Sequence, residues 1–523
     1  MENNDVWILV DRPDSKREQK EANIIDSRWV FKRKFGENGK VDYKARLVIR
    51  GFKDKRVYEL RETYAPVSRL PLIRAVLSLV NSLNFELIQM DVKTAFLNGE
   101  ILNDVYMEIL EGVQVDLETR NTKMCKLKKS LYGLKTSPKR WNEKFSEEVE
   151  KLGLENDIHE PCLYTWRMHG KIVFILLYVD DMLIGGNDIE RIQEIRTKLS
   201  QTFEMKDLGE PENFLGMRIR RDRKNQIITI DQTEYIERIL ERFNMSETNP
   251  KDTPMVTKQV QKRQGKAESQ KNSRKNYTPK VPYREAIGSL LYLASATRPD
   301  ITYAVNVLSR TQVNPSFRDW EDVKRVFRYL RGTSNLGLRF LAESDTIEAY
   351  KDSSHRDWTD SSSTSGYVIT LFGNPIAWRS HKQNYATSST CQTEYLAMSE
   401  SCSELISLDK AIRNITGKTF FPITVWCDNK SAVENTEKEG CHKLKDFDEP
   451  IEEIIEKLRY REETGIKKHM GETHGDYIKY LVIKCKKIKV KWISTIENTA
   501  DIMTKPLELK AHKRLVKKLL NLE

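Results

Sequence analysis

Two short apolar runs with a pair of acids between them constrain this chain more than any other feature. Ile172-Val173-Phe174-Ile175-Leu176-Leu177 leads into Tyr178-Val179-Asp180-Asp181, and Met182-Leu183-Ile184 follows, closed by Gly185-Gly186. Apolar runs on either side of so short a polar step predict a β-hairpin with the acids at its mouth. The flanks are too apolar for an ordinary solvated turn. Two carboxylates there are costly unless positive charge lies between them. A third acid stands in a second strand-like stretch, Gln89-Met90-Asp91-Val92-Lys93-Thr94-Ala95-Phe96. A pair of Mg²⁺ ions is the natural counter-charge for such acids, and it can drive in-line phosphoryl transfer.

Charge points the same way. Lys and Arg number 88 against 77 Asp and Glu, a net charge of +11, and the pI is near 9.0. Basic surfaces suit polyanionic partners, because Lys and Arg release counterions from phosphates. A length of 523 residues sets an expectation of about three or four domains. The seven cysteines are scattered and form no C-x-x-C pair, which predicts a reduced, intracellular protein without a zinc module. A mean hydropathy of −0.61 argues against membrane residence. The longest apolar run, near 172–179, is far too short to span a bilayer, and no secretory signal precedes it.

Periodicity divides the rest. Trp29 to Phe35 and Tyr43 to Arg50 flank a Gly-Glu-Asn-Gly turn and predict a basic hairpin. Helices are expected over 72–83, from Pro138 through Trp141, Phe145 and Val149, over 189–203 and over 235–243. Strands are expected over 214–219 and 227–230. The stretch 256–281 carries eight Lys or Arg against one acid, Glu268, and reads as a flexible linker or exposed loop. Helices follow near 287–296, 301–309 and 320–329. A third pattern then opens with strands at 348–352 and 366–372, a helix from Glu394, strands at 423–428 and 487–493, and a short final helix.

The chain resembles the reverse transcriptase–RNase H region of copia-type (Pseudoviridae) LTR-retrotransposon Pol polyproteins. The resemblance rests on Ser27-Arg28-Trp29-Val30-Phe31, Tyr43-Lys44-Ala45-Arg46-Leu47-Val48, Thr63-Tyr64-Ala65-Pro66-Val67-Ser68-Arg69, Gln89 to Gly99 and Ser130-Leu131-Tyr132-Gly133-Leu134-Lys135. It continues through Leu177 to Asp181, Met205-Lys206-Asp207-Leu208-Gly209, Arg298-Pro299-Asp300, Phe327 to Thr333, Ser363 to Tyr367, Cys427-Asp428-Asn429 and Thr499 to Pro506. The implied architecture is α+β: a right-hand polymerase of fingers, palm and thumb over 1–255, a basic linker over 256–282 and a connection over 283–345. An RNase H-like α/β domain over 346–510 and a tail over 511–523 complete it.

The same resemblance implies RNA-directed and DNA-directed DNA synthesis with two Mg²⁺ ions, or Mn²⁺, per active site. It makes Asp91 and Asp180 the main polymerase ligands, with Asp181 in support. It makes Phe96 the ring under the sugar that excludes a 2′-hydroxyl. Tyr132 and Gly133 belong to the nucleotide pocket, in a loop where Thr136-Ser137 stands for the family's usual Gln-Ala. The basic hairpin offers Arg33, Lys44 and Arg46 to the triphosphate, with Arg33 and Arg46 the preferred pair. Asp352, Glu394, Asp428 and Asp501 match the four RNase H carboxylates. Asp352 is expected to end a strand, Glu394 to open a helix and Asp501 to start the terminal helix.

Two departures accompany these matches: the stretch Asp352-Ser353-Ser354-His355-Arg356-Asp357-Trp358 is long for the family, and so is 441–492, with an amphipathic helix expected over 451–458. His469 and His474 receive no role. The implied partners are an RNA template, DNA primer and product, RNA–DNA hybrid, dNTPs, a tRNA primer and an integrase from the same polyprotein, with no membrane. The implied location is a cytoplasmic virus-like particle with nuclear entry. The chain shows no Gag, protease or integrase motif, as expected of a processed product or a truncated gene. The competing reading is a catalytically inactive or co-opted nucleic-acid-binding relic; retention of all seven acids favours activity.

Overall fold

The computed structural model describes residues 5–15, 17, 22–35, 41–257, 281–358, 361–384, 389–437, 477–478 and 480–522. Most of the basic stretch, the helix expected over 451–458, His469 and His474 lie outside them. The chain forms two compact units, Met1–Ser68 with Glu86–Glu210, and Arg69–Phe85 with Pro211–Glu523.

The first unit is built on a six-stranded antiparallel sheet. Its order is Met205–Gly209, Glu86–Val92, Asp181–Gly186, Lys171–Tyr178, Leu163–Met168, Glu155–Asn156. The predicted hairpin is its centre. Helices Ser137–Lys151 and Ile189–Thr202 cover one face. Trp141, Phe145 and Val149 fall four residues apart, Ile192, Ile195 and Leu199 three or four apart. Both sets therefore point one way, into a core shared with Met90, Val173, Ile175, Leu177, Met182 and Ile184. Phe174, Leu176 and Leu183 alternate with these strand residues and are buried too. Burial on both faces is why the strands read as unbroken apolar runs. The Gly185-Gly186 end is equally constrained: a Cβ on Gly185 would lie 2.6 Å from the Phe174 ring, and one on Gly186 2.0 Å from the Ile172 carbonyl oxygen.

Two smaller sheets complete this unit. Ser27–Phe35 pairs antiparallel with Val41–Ile49, as the basic hairpin predicted. Trp7–Asp11, Lys123–Leu127 and Tyr106–Met107 make the other. Its strands are short and were not evident from periodicity.

The second unit opens with the helix Leu70–Ser82. Helices Thr233–Arg242, Tyr283–Ala296, Thr302–Ser309 and Phe317–Gly332 share one apolar core. A four-stranded sheet joins Asn213–Phe214, Met217–Asp222, Ile227–Asp231 and Leu338–Phe340. The single strand expected over 214–219 is instead a hairpin, because Leu215 (φ 50°) and Gly216 (φ 74°) both take left-handed backbone.

A five-stranded mixed sheet carries the C-terminal acids. Its order is Asn374–Lys382, Thr364–Leu371, Ile347–Ser354, Ile423–Cys427, Ile488–Trp492. Counted along the chain that is 3-2-1-4-5, with the first three strands antiparallel and the last two parallel to the centre. Helix Thr390–Thr416 packs on it, with Ser389 accepting from the Gln392 N–H as its cap. Three expectations need correction here. Asp352 lies inside its strand, two residues short of the end. Glu394 sits in the second turn of its helix. Asp501 belongs to a short 3₁₀ turn, Thr499–Met503, apart from the terminal helix Leu509–Leu519.

Candidate active site

In the first unit Asp91 stands directly opposite Asp181 in the antiparallel ladder. The Val92 N–H donates to the Asp180 carbonyl at 2.8 Å. Tyr178 pairs with Asp181, so Val179 and Asp180 are the whole turn. The first of these positions needs a left-handed backbone, and Val179 supplies it at φ 60°. A β-branched residue there costs about 1–3 kcal/mol and persists only where its surroundings hold it. Trp141 does part of the holding: its indole N–H donates to the Val179 carbonyl at 2.6 Å.

Burial and a neighbouring acid act together on Asp180. Asp180 is pushed above the usual carboxylate range, first by burial and then by the charge of Asp91; Lys44 and Arg46 pull it back. Asp91 and Asp181 hold paired backbone positions and Asp180 stands in the adjoining turn, so oxygen donors of the kind a hard divalent cation takes lie on neighbouring positions, and the residue types present fit the implied ion pair.

The register of the basic hairpin sorts its cations. Lys44 faces Lys32 and Arg46 faces Val30, while Arg33 faces Tyr43. Because side chains alternate, Lys44 and Arg46 share one face and Arg33 lies on the other. Of the expected pair, Arg46 lies on the face with Lys44 and Arg33 on the other, and Lys44 and Arg46 are the two whose charges reach Asp180. Arg46 also lies 5.7 Å from the centre of the Tyr132 ring. The Tyr132 hydroxyl is pushed up by burial and by Asp180, against the pull of Arg46.

Phe96 meets the same ring edge-on, 4.7 Å between centroids. It is only half-buried, on the turn Ala95–Asn98 that follows Thr94 at φ 52°. The loop behind Tyr132 is tied down twice. Ile49 N–H donates to the Tyr132 carbonyl at 2.8 Å, and the Ser137 hydroxyl donates to the Leu131 carbonyl at 2.7 Å. Gly133 (φ 95°) passes so near Ile49 that a Cβ would lie 2.0 Å from its carbonyl oxygen. The structure thus gathers Asp91, Asp180, Asp181, Lys44, Arg46, Tyr132 and Phe96.

In the second unit the four remaining acids also converge. Carboxylate oxygens of Asp352, Asp428 and Asp501 lie within 4.8 Å of one another, and a second group, Glu394, Cys427 and Asp428, shares Asp428 with it. Burial raises Asp352, Glu394 and Asp501, and their mutual repulsion adds to it. Asp501 reaches about 7. Its Oδ1 is buried with no hydrogen-bond partner, which marks a place for a cation. These residues too fit divalent ions.

Sequence reasoning missed the counter-charges. Lys505 lies 3.0 Å from Asp501 and 3.9 Å from Asp352. Thr504 donates its hydroxyl to Asp352. Lys351, fully buried, pairs with Glu394, whose carboxylate holds its ammonium charged against the cost of burial. Strand alternation would have put Lys351 on the face away from Asp352, so nothing in the pattern marked it.

Residues 4–257 match the family described as reverse transcriptase (RNA-dependent DNA polymerase). The chain is 37% identical over 510 residues to the retrovirus-related Pol polyprotein from transposon TNT 1-94 of Nicotiana tabacum, covering 97% of this chain and 36% of that one. It is 31% identical over 320 residues to a transposon Ty5-1 protein of Saccharomyces cerevisiae, covering 60% of this chain and all of that one. The chain belongs to the reverse transcriptase family of copia-type retrotransposon Pol polyproteins. It spans only 36% of that Nicotiana tabacum polyprotein, and 28% of the retrovirus-related Pol polyprotein from transposon RE1 of Arabidopsis thaliana, to which it is 34% identical over 437 residues. Among solved structures, a foamy viral protease–reverse transcriptase in complex with double-stranded DNA aligns with 94% of this chain and 75% of that one, at 11% identity and a TM-score of 0.44. No helix among the described residues is long and apolar enough to cross a membrane.

Proposed function

We propose that this chain is an active RNA-directed and DNA-directed DNA polymerase whose second unit cleaves RNA in RNA–DNA hybrids. One observation carries the polymerase half: Asp91, Asp180 and Asp181 meet at the end of one buried sheet, beside Lys44 and Arg46. Two Mg²⁺ or Mn²⁺ ions, when bound, would neutralise the attacking 3′-oxygen and the pyrophosphate leaving group. Asp91 and Asp180 would hold them, and Asp181 would support one. Lys44 and Arg46 would meet the triphosphate, the role Arg side chains fill best through paired hydrogen bonds. Phe96, braced by Tyr132, would form the floor under the sugar. Trp141 would keep the strained turn in register.

The 3-2-1-4-5 strand order and the convergence of Asp352, Glu394, Asp428 and Asp501 support the hydrolytic half. On this reading the molecule is a right-hand polymerase joined through a connection to an RNase H-like domain. Its substrates are dNTPs, RNA template, DNA primer and hybrid. A tRNA primer, an integrase from the same polyprotein and a virus-like particle as its setting belong to the same proposal.

Primer extension on poly(rA)/oligo(dT) with Mg²⁺ or Mn²⁺ tests the reading, with Asp180→Asn as the control. The wild-type chain should extend and the variant should not. A wild-type chain that binds primer-template yet never extends it would favour a catalytically inactive relic.

A further inference from the structure

Lys351 is among the most deeply buried charges of the described residues. Its side chain is fully buried in the middle of the five-stranded sheet, one residue before Asp352. Burying an ammonium is expensive, and a buried ion pair rarely adds stability over an apolar pair of the same volume. Such a residue calls for a reason beyond packing.

Its position supplies one. The ammonium reaches Glu394, a candidate cation ligand, beside Cys427. Glu394, Cys427 and Asp428 are themselves close enough to share one ion. The opposite side of the cluster, Asp352 and Asp501, is neutralised by Lys505. The two lysines differ in freedom. Lys505 keeps 39% of its side chain exposed and can swing aside when an ion arrives. Lys351 has no exposed surface, and its carbonyl is held by the Asn498 side-chain amide at 3.0 Å. An ion that binds Asp352, Asp428 and Asp501 meets a partly exposed charge. An ion that uses Glu394 must sit against a fixed one.

We propose that Lys351 is a built-in cation of the C-terminal carboxylate cluster, which satisfies Glu394 from within and thereby weakens divalent-ion binding on the Glu394 side. The inference rests on the hydrolytic reading of the four acids. A fixed unit charge a few ångströms from a divalent ion in a buried site lowers affinity steeply, by roughly tenfold or more. The second unit therefore needs a higher free-metal concentration to load both ions than a cluster without the lysine would. Lys351 is a positioning residue: it touches a ligand and never the substrate.

The test uses the full chain carrying Asp91→Asn and Asp180→Asn, so that the polymerase acids do not contribute. Mn²⁺ binding is followed by titration calorimetry, and thermal unfolding is followed with and without Mn²⁺. Lys351→Ser should bind Mn²⁺ about tenfold or more tightly than the parent. Its melting temperature should fall in chelator and recover with Mn²⁺, while the parent responds less. Unchanged affinity, or a lowered melting temperature that Mn²⁺ leaves untouched, would make Lys351 a packing residue and overturn the proposal. Should Lys351→Ser fail to fold, Lys351→Gln keeps the length without the charge; refolding of either variant only in Mn²⁺ supports the proposal, and failure of both in Mn²⁺ overturns it. Adding Asp352→Asn to Lys351→Ser should abolish the gained binding. If the gain survives, the ions bind elsewhere and the four-acid reading itself fails, an outcome separate from equal affinities that still depend on Asp352.

Discussion

Phe96→Val isolates sugar selectivity from activity. The Phe96 ring is half-buried, packs against the core of the first unit and meets Tyr132 edge-on at 4.7 Å. Such a pair contributes about 0.5–1.5 kcal/mol beyond its buried area. Part of the ring's apolar burial is lost with it, so the variant should lose roughly 1–3 kcal/mol, below the ~3–5 kcal/mol of truncating a fully buried Phe. Ribonucleotide discrimination should change far more. A ring under C2′ rejects a hydroxyl by overlap, and relieving that overlap should raise the rNTP/dNTP ratio of kcat/KM by about 10²-fold, equivalent to roughly 2.7 kcal/mol. Incorporation of dNTPs should weaken modestly, because Asp91, Asp180, Lys44 and Arg46 are untouched. Single-nucleotide extension with each substrate, alongside thermal unfolding, measures both quantities. A stably folded variant with an unchanged ratio would refute the reasoning and leave Phe96 a scaffold for Tyr132.

Asp180→Asn should lower extension by several orders of magnitude while raising the melting temperature in chelator, since the folded state disfavours the charged carboxylate it removes. Asp352→Asn should abolish hybrid cleavage and spare primer extension, read on labelled RNA–DNA and primed templates in parallel; joint loss would contradict separate sites. Affinity for primer-template should fall steeply between low and moderate salt, in keeping with the +11 charge, and a flat response in a filter-binding series would count against a phosphate-tracking surface. Without metal, stability should decline as pH rises from about 4 through about 7. Asp180, Asp352, Glu394 and Asp501 all have raised folded-state values, so the folded chain holds more protons in that window and loses stability as they leave. Chelator-against-Mg²⁺ melting curves across this range check it, and Mg²⁺ should flatten the decline.

What was legible in the sequence follows from what each signal depends on. The hairpin at Asp180-Asp181 declares itself through local apolar runs, and the helix Ser137–Lys151 through the spacing of Trp141, Phe145 and Val149. The strand Asn374–Lys382 does not, because its burial comes from partners distant in the chain. The hairpin at Leu215-Gly216 was hidden for another reason: one left-handed non-glycine residue precedes the glycine, and no composition signals it. Register is a tertiary fact as well. Alternation says that only some of Arg33, Lys44 and Arg46 can face the acids, and only the pairing of Lys44 with Lys32 says which.

The two acidic clusters solve one electrostatic problem in different ways. Asp91, Asp180 and Asp181 lie at a hairpin turn, and the positive charges that reach Asp180, Lys44 and Arg46, come from a separate ribbon. The C-terminal acids lie deeper, with Asp352, Glu394 and Asp501 each under 10% exposed. Their counter-charges are built into the same domain, at Lys351 and Lys505. Buried carboxylates without any cation would resist folding at neutral pH, so an internal ammonium lets the second unit fold before metal arrives. The same ammonium then competes with the metal the site would use. A cluster of this kind should tolerate metal-free conditions better than the four acids alone would allow, and should demand more metal before it is fully loaded.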